Sequence, residues 1–295
     1  MKSGVMAILT ASLLLASCAS THEAGPRKGP LVVAHRGGAL LWPENTLPAF
    51  REAIAAGVDV LEFDMVLTAD DRVLVSHDPD VNPQFCLSGP QGVAPGPVRA
   101  MTLAQAQDFD CGSRHRAIYP TQKPIPGTRM PSLEEVLEAT RDSKVQYFAE
   151  MKMPKPQAAD QVDPDLFAAR VLAVIERYGV ADRVILQSFD FRTLDAAHRL
   201  DPRIPTCLLG LQNESAVKIL EQIRQHRASC VVLRRNQVDA ADFATLKQAG
   251  VTVLSEVVDT AEEWQAYVGL GVDGLFTNDP VGAIEFLKQA GLRPQ

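Results

Sequence analysis

Residues 146–188 read QYFAEMKMPKPQAADQVDPDLFAARVLAVIERYGVADRVILQS. Two short β-type runs, 146–150 (QYFAE) and 184–188 (VILQS), enclose a segment with helix signals at both ends. Asp163-Pro164 opens the helix with a cap residue and a first-turn proline, and Gly179 closes it. Strand, helix and strand in this order form a unit of a parallel sheet. Working outward, further strand runs stand at 31–35 (LVVAH), 60–64 (VLEFD), 205–209 (PTCLL), 230–234 (CVVLR), 251–255 (VTVLS) and 274–277 (GLFT). Ser132 with Glu135, and Thr260 with Glu263, have the three-residue offset of a capping box. Eight strands in a βα rhythm predict an α/β fold, a single (β/α)8 TIM barrel over residues 30–295. No glycine-rich dinucleotide fingerprint follows the first strand, which weighs against an open doubly wound sheet.

One interval breaks the rhythm. More than 80 residues separate the second and third of these strands, beginning with a hairpin return at Arg72–His77. Residues 79–131 are rich in Pro and Gly and read as an insertion after strand 2, without a core of its own, shaping a substrate pocket. The 295 residues suit one such barrel, and a composition of 46% hydrophobic and 22% charged residues is that of an ordinary globular protein. A formal charge of −7 argues against nucleic acid as a partner.

The first segment reads as an address. Lys2, an apolar run from Val5 to Leu15 and then Leu15-Ala16-Ser17-Cys18 have the form of an export signal ending in a lipobox. The expected organisation is a lipoprotein signal peptide at 1–17, a flexible tether at 18–29 and the barrel from 30. Cys18 is the expected lipidation site, which anchors an exported bacterial lipoprotein to the membrane, on the periplasmic face of the outer membrane. A plain secretory signal cut near Ala19 or Ser20 is the alternative. Export permits disulfides. Cys86 and Cys111 flank a loop-rich segment they could close; Cys207 and Cys230 lie on neighbouring strands, either bonded or as two buried thiols.

Polar residues gather at strand ends, where a barrel carries its active site. Glu62 and Asp64 are two apart on one strand and share a face. With Glu150 they make an oxygen-rich set for one divalent cation, Ca2+ or Mg2+, unless they simply pair with Arg or Lys. Arg36 and Lys152 would place positive charge beside it, as a phosphate site requires, or serve as its salt-bridge partners. His35 and His77 both end β runs and suit acid–base catalysis. His22, His115, His198 and His226 read as solvated surface.

These residues resemble a known family. His35-Arg36-Gly37, Pro43-Glu44-Asn45-Thr46, Gly57-Val58-Asp59 and Glu62-Phe63-Asp64 occur in that order, followed by Thr68, Asp70, Val73 and His77-Asp78. The set is similar to the amino-terminal signature of the glycerophosphodiester phosphodiesterases. Gly271-Val272-Asp273-Gly274-Leu275-Phe276-Thr277-Asn278-Asp279-Pro280 is similar to that family's last strand. The resemblance implies metal ligands at Glu62, Asp64 and Glu150, acid–base histidines at His35 and His77, and phosphate contacts at Arg36 and Lys152. Glu44 falls on a rim carboxylate of the same motif, and is otherwise part of the turn into the next helix. The implied reaction is metal-dependent hydrolysis of a small glycerophosphodiester to glycerol 3-phosphate and an alcohol. A lysophospholipase D-like enzyme on the same barrel is the alternative, and a non-catalytic phosphodiester-binding lipoprotein a further one. The sequence departs from the family at Leu254-Ser255, where Trp-Thr is common.

Overall fold

A computed structural model describes residues 29–154, 162–211, 214–234 and 239–294. The expected signal peptide, Cys18 and most of the tether, with His22, lie outside them. The chain runs β1 (Leu31–Ala34), α1 (Leu47–Ala56), β2 (Val60–Leu67), β3 (Val73–Val75), α2 (Leu103–Ala106), α3 (Leu133–Ala139), β4 (Gln146–Met151), α4 (Pro164–Tyr178) and β5 (Val184–Ser188). It continues with α5 (Phe191–Leu200), β6 (Thr206–Leu208), α6 (Ala216–Gln225), β7 (Cys230–Leu233), α7 (Ala240–Gln248), β8 (Thr252–Val257), α8 (Ala261–Leu270), β9 (Gly274–Thr277) and α9 (Pro280–Gln289).

The sheet order β1-β9-β8-β7-β6-β5-β4-β2 is closed by parallel pairing of β1 with β2, and β3 folds back antiparallel on β2. Closure removes the sheet edges, and the result is the eight-stranded parallel barrel that the strand rhythm predicts. The caps read from the sequence are present: Asp163 and Gly179 bound α4, and Ser132–Glu135 and Thr260–Glu263 form reciprocal capping boxes.

Alternation along the strands builds two cores. Val33, Val60, Phe148, Cys207, Cys230, Leu254 and Phe276 fill the inside of the barrel. Phe148 stacks on Phe276 there, with ring centroids 5.8 Å apart. Cys207 and Cys230, opposite one another on β6 and β7, are bonded, so the disulfide reading holds over the free thiols. Alternate residues such as Leu61, Phe63 and Met65 face the helices. Phe63 is 1% exposed and sits between Phe50 of α1 and Tyr147 of β4, at 5.9 and 6.1 Å.

The insertion differs from expectation. It has a small core of its own, made by Val81, Cys86, Val98, Met101, Ala106, Phe109 and Met130 around Val66 and Leu74 of the β2–β3 hairpin. Two side chains of that hairpin therefore complete it, and the Cys86–Cys111 disulfide staples it. A loop closed over 25 residues by such a bond is stabilised by about 3 kcal/mol. Thr121, Gln122 and Lys123 then stitch the insertion to the loop after β1, through Leu40, Ala39, Trp42 and Leu41 carbonyls.

Two histidines expected at the surface are elsewhere. His198 follows Leu194 by one helical turn, so it falls on the buried stripe of α5 and lies 3.3 Å from Thr206 Oγ1. His226 caps α6, donates from Nδ1 to Asp195 Oδ1 at 2.9 Å and packs against Phe191. His115 is exposed, as expected.

Because Phe63 joins β2, α1 and β4, Phe63→Ala should cost about 3–5 kcal/mol of unfolding free energy. Urea unfolding of the two proteins measures this directly.

Candidate active site

β2 sends Glu62 and Asp64 inward one layer above the apolar plug, and the β2–β4 register sets Asp64 opposite Glu150. Ligand oxygens from Glu62, Asp64 and Glu150 all lie within 4.8 Å of one another, and all three residues are buried. Like charges this close, out of water, resist ionisation. Burial, then Asp64 and Glu150, push Glu62 well above the usual carboxylate range. Burial and then Asp64 push Glu150 up to about 7. Burial would raise Asp64 too, but Arg36 and Lys152 hold it well below its ordinary value.

The cations are correspondingly close. Arg36 Nε is 3.3 Å from Asp64 Oδ2, and Lys152 Nζ is 2.9 Å from Glu150 and 3.4 Å from Asp64. The ligand reading and the salt-bridge reading of these residues therefore describe one cluster. Asp64 Oδ1 is buried without a hydrogen-bond donor, and Glu62 and Glu150 favour protonation. An oxygen-seeking divalent cation fits that donor set.

β1 ends at Ala34, so His35 stands in the following 3-10 turn, His35–Gly37. Arg36 takes the left-handed conformation there (φ 51°), which turns its backbone N–H onto Glu62 Oε2 at 2.7 Å. Asn45 is also left-handed (φ 57°) and clasps Asp64, its Nδ2 donating to Oδ2 at 2.9 Å and its Oδ1 accepting the Asp64 N–H at 3.2 Å. Gln187 of β5 donates to Glu62 Oε1 at 3.1 Å. Glu44 is not merely a turn residue: its Oε1 lies 3.1 Å from Arg36 Nη1.

A chain of partners fixes the form of His35. Asn278 Nδ2 donates to Asp259 Oδ2 at 2.8 Å, and a carboxylate only accepts. Asn278 Oδ1 therefore faces His35, 2.7 Å from Nδ1, and must accept. His35 carries its proton on Nδ1, which leaves Nε2 as a base. Burial, then Arg36, lowers His35 to about 4, so it is neutral at physiological pH. His77 has a parallel arrangement, with Nδ1 2.7 Å from Asp78 Oδ1.

The structure thus brings together His35, Arg36, Glu44, Glu62, Asp64, His77, Glu150 and Lys152. Sequence reasoning missed Asn45, Gln187, Asn278 and Asp259 as supports, although the first three lie in motifs already quoted or at strand ends. It also missed Arg116, which pairs with Glu44 from inside the insertion and had no signal. Beside the cluster opens a cleft of about 950 Å3, lined in part by His77, Asp80, Lys152 and Phe189. Phe189, 60% exposed, offers an aromatic face there. Leu254 is fully buried inside the barrel. The pairing of β8 with β9 shifts register between Leu254 and Val257, a bulge in β8.

Such a mouth can hold an anionic phosphoryl group and move protons around it, the chemistry of a phosphodiester hydrolase. Comparison with known proteins agrees. The profile of the glycerophosphoryl diester phosphodiesterase family matches residues 35–281. A glycerophosphodiester phosphodiesterase of Bacillus subtilis is 28% identical over 301 residues, covering 95% of this chain and 96% of the relative. One from Caldanaerobacter subterraneus is 27% identical, covering 88% and 99%. A crystal structure of a Silicibacter pomeroyi protein provisionally named for the same activity superposes with TM-score 0.80, at 28% identity over 90% of this chain and 96% of that one. A phosphodiesterase of Oleispira antarctica, solved with its product sn-glycerol 3-phosphate, shares the fold with TM-score 0.74 at 21% identity, covering 88% and 97%. The chain belongs to the glycerophosphoryl diester phosphodiesterase family and is an enzyme of that class.

A cation must displace the proton that Glu150 keeps up to about pH 7. Affinity for Ca2+ or Mg2+ should therefore rise between pH 6 and 8, with more protons released per ion at pH 6. Calorimetry in buffers of different ionisation enthalpy counts those protons; a pH-independent affinity would contradict the assignment of Glu150 as a ligand.

Proposed function

We propose that the protein hydrolyses small glycerophosphodiesters, such as glycerophosphocholine or glycerophosphoethanolamine, to sn-glycerol 3-phosphate and the free alcohol. The observation that carries this reading is the convergence of Glu62, Asp64 and Glu150 within 4.8 Å, against Arg36 and Lys152. The three carboxylates would hold one divalent cation, Ca2+ or Mg2+. Bound there, such an ion supplies Lewis-acid neutralisation of a phosphoryl oxygen. Arg36 and Lys152 bind the remaining phosphoryl charge, with the Arg36 fork placing paired donors. The product complex of the Oleispira antarctica relative supports glycerol 3-phosphate as the retained half.

His35 takes the base role first. Its Nε2 is unprotonated, and it removes the proton from the substrate's 2-hydroxyl as that oxygen attacks phosphorus. His77 protonates the leaving alcohol, with Asp78 offsetting the charge of its imidazolium. The resulting cyclic phosphate is opened by water with the two roles exchanged: His77 takes the water proton and His35 returns one to the 2-oxygen. The exposed Phe189 and the acidic Asp80 at the cleft suit a cationic alcohol.

An acylated Cys18 on the periplasmic face of the outer membrane accords with this substrate. Gly29 lies against Leu292, next to the Arg293–Asp59 pair that precedes β2, at the end of the barrel away from the site. An anchor attached there leaves the mouth turned toward water-soluble diesters.

The test is glycerol 3-phosphate release from glycerophosphocholine, with and without chelator. Release abolished by chelator and restored by Ca2+ or Mg2+ is expected, and His35→Ala or His77→Ala should each lower kcat by at least ~10²-fold. Turnover of lysophosphatidylcholine in its place would favour the lysolipid enzyme. Binding without turnover of either would favour the binding lipoprotein. Asn278→Leu, which frees the His35 ring, should cost roughly 10–100-fold in kcat while leaving cation affinity unchanged.

A further inference from the structure

Arg116 belongs to the insertion, yet its guanidinium reaches Glu44 at the rim of the site. Its side chain is 11% exposed, and Nη1 forms an ion pair with Glu44 Oε2. Glu44 is thereby shared, one oxygen to Arg116 and the other, at 3.1 Å, to Arg36 Nη1. Arg116 is itself held by stacking. Its Cζ lies 3.6 Å from the Phe85 ring centroid and 5.3 Å from that of Tyr119. Phe85 precedes Cys86, whose bond to Cys111 fixes this part of the insertion.

A half-buried carboxylate beside a single arginine tends to take it with both oxygens, as a parallel fork. Glu44 in that posture would occupy two donors of Arg36 and draw the guanidinium away from Asp64. By holding Oε2, Arg116 confines Glu44 to one end-on contact and leaves the Nη2 donors of Arg36 for a phosphoryl group. Resting on the function proposed above, we propose that Arg116 is a positioning residue for Arg36, acting through Glu44. The stapled insertion is thus part of the phosphate site as well as a wall of the cleft.

A double-mutant cycle on the full chain tests this. Arg116→Met should lower kcat/KM for glycerophosphocholine roughly tenfold, mainly through KM, whereas in a Glu44→Gln background the same change should cost nothing further. Arg116→Lys, which keeps the charge but loses the planar stack, should fall between. Cys86→Ser with Cys111→Ser should weaken KM in the same direction. The cycle is repeated on affinity for sn-glycerol 3-phosphate by calorimetry, with Ca2+ or Mg2+ present, so that it can be read without turnover. Thermal unfolding of each variant separates loss of fold from loss of positioning.

Equal losses in both backgrounds would overturn the assignment, because Arg116 would then act independently of Glu44. So would an Arg116→Met enzyme with unchanged KM, or one whose activity loss merely follows its unfolded fraction. Wild-type protein that binds sn-glycerol 3-phosphate without hydrolysing diesters would sink only the proposed reaction. Wild-type protein that does neither would sink both.

Discussion

Three carboxylates held within 4.8 Å of one another, and buried, repel one another, and the mouth of this barrel is organised to tolerate them. Each carboxylate has its own restraint. Asp64 is held by the Asn45 amide and by Arg36 and Lys152, Glu62 by the Arg36 N–H and Gln187, and Glu150 by Lys152. Buried charge left without partners is costly, so these contacts come from β1, β2, β4 and β5 together. The left-handed backbone at Arg36 and Asn45 belongs to the same solution. Strain of this kind persists at functional sites because the surroundings over-determine it.

The barrel supplies the rigidity that this requires. Inside it, the apolar layer from Val33 to Phe276 lies beneath the charged layer and excludes water from below. Outside, Phe50, Phe63 and Tyr147 lock β2 to its neighbours, so Glu62 and Asp64 have little freedom. The partners of His35 come from the far end of the chain, since Asn278 follows β9 and Asp259 follows β8. Closure of the sheet brings Asn278 within 2.7 Å of a residue 243 positions earlier. The tautomer of this histidine is in this sense a consequence of closure.

The insertion shows how a loop-rich segment becomes part of such a site. Its small core closes around Val66 and Leu74 of the β2–β3 hairpin, and a disulfide staples it. Its hydrogen bonds to the loop after β1 then fix it over the segment that carries Arg36 and Glu44. Elsewhere, Phe189 after β5 stands exposed at the cleft.

Much was legible in the residues alone. Strand alternation and capping offsets are local signals, so the barrel, the helix ends at Asp163, Gly179, Ser132 and Thr260, and the shared face of Glu62 and Asp64 follow from spacing. The motif residues His35, Arg36, His77 and Lys152 could be placed at the mouth because a parallel barrel puts every strand end on one rim. Other features depended on distance in space. The insertion core borrows barrel side chains, and His198 is buried by the stripe it shares with Leu194. The Asn278–Asp259 relay spans a closed sheet, and Arg116 meets Glu44 across 72 positions of chain. Sequence determined which residues could bear charge and on which face of a strand they stand. Only the tertiary structure decided which charges neutralise one another, because burial and proximity, which set those pairings, arise when the barrel closes.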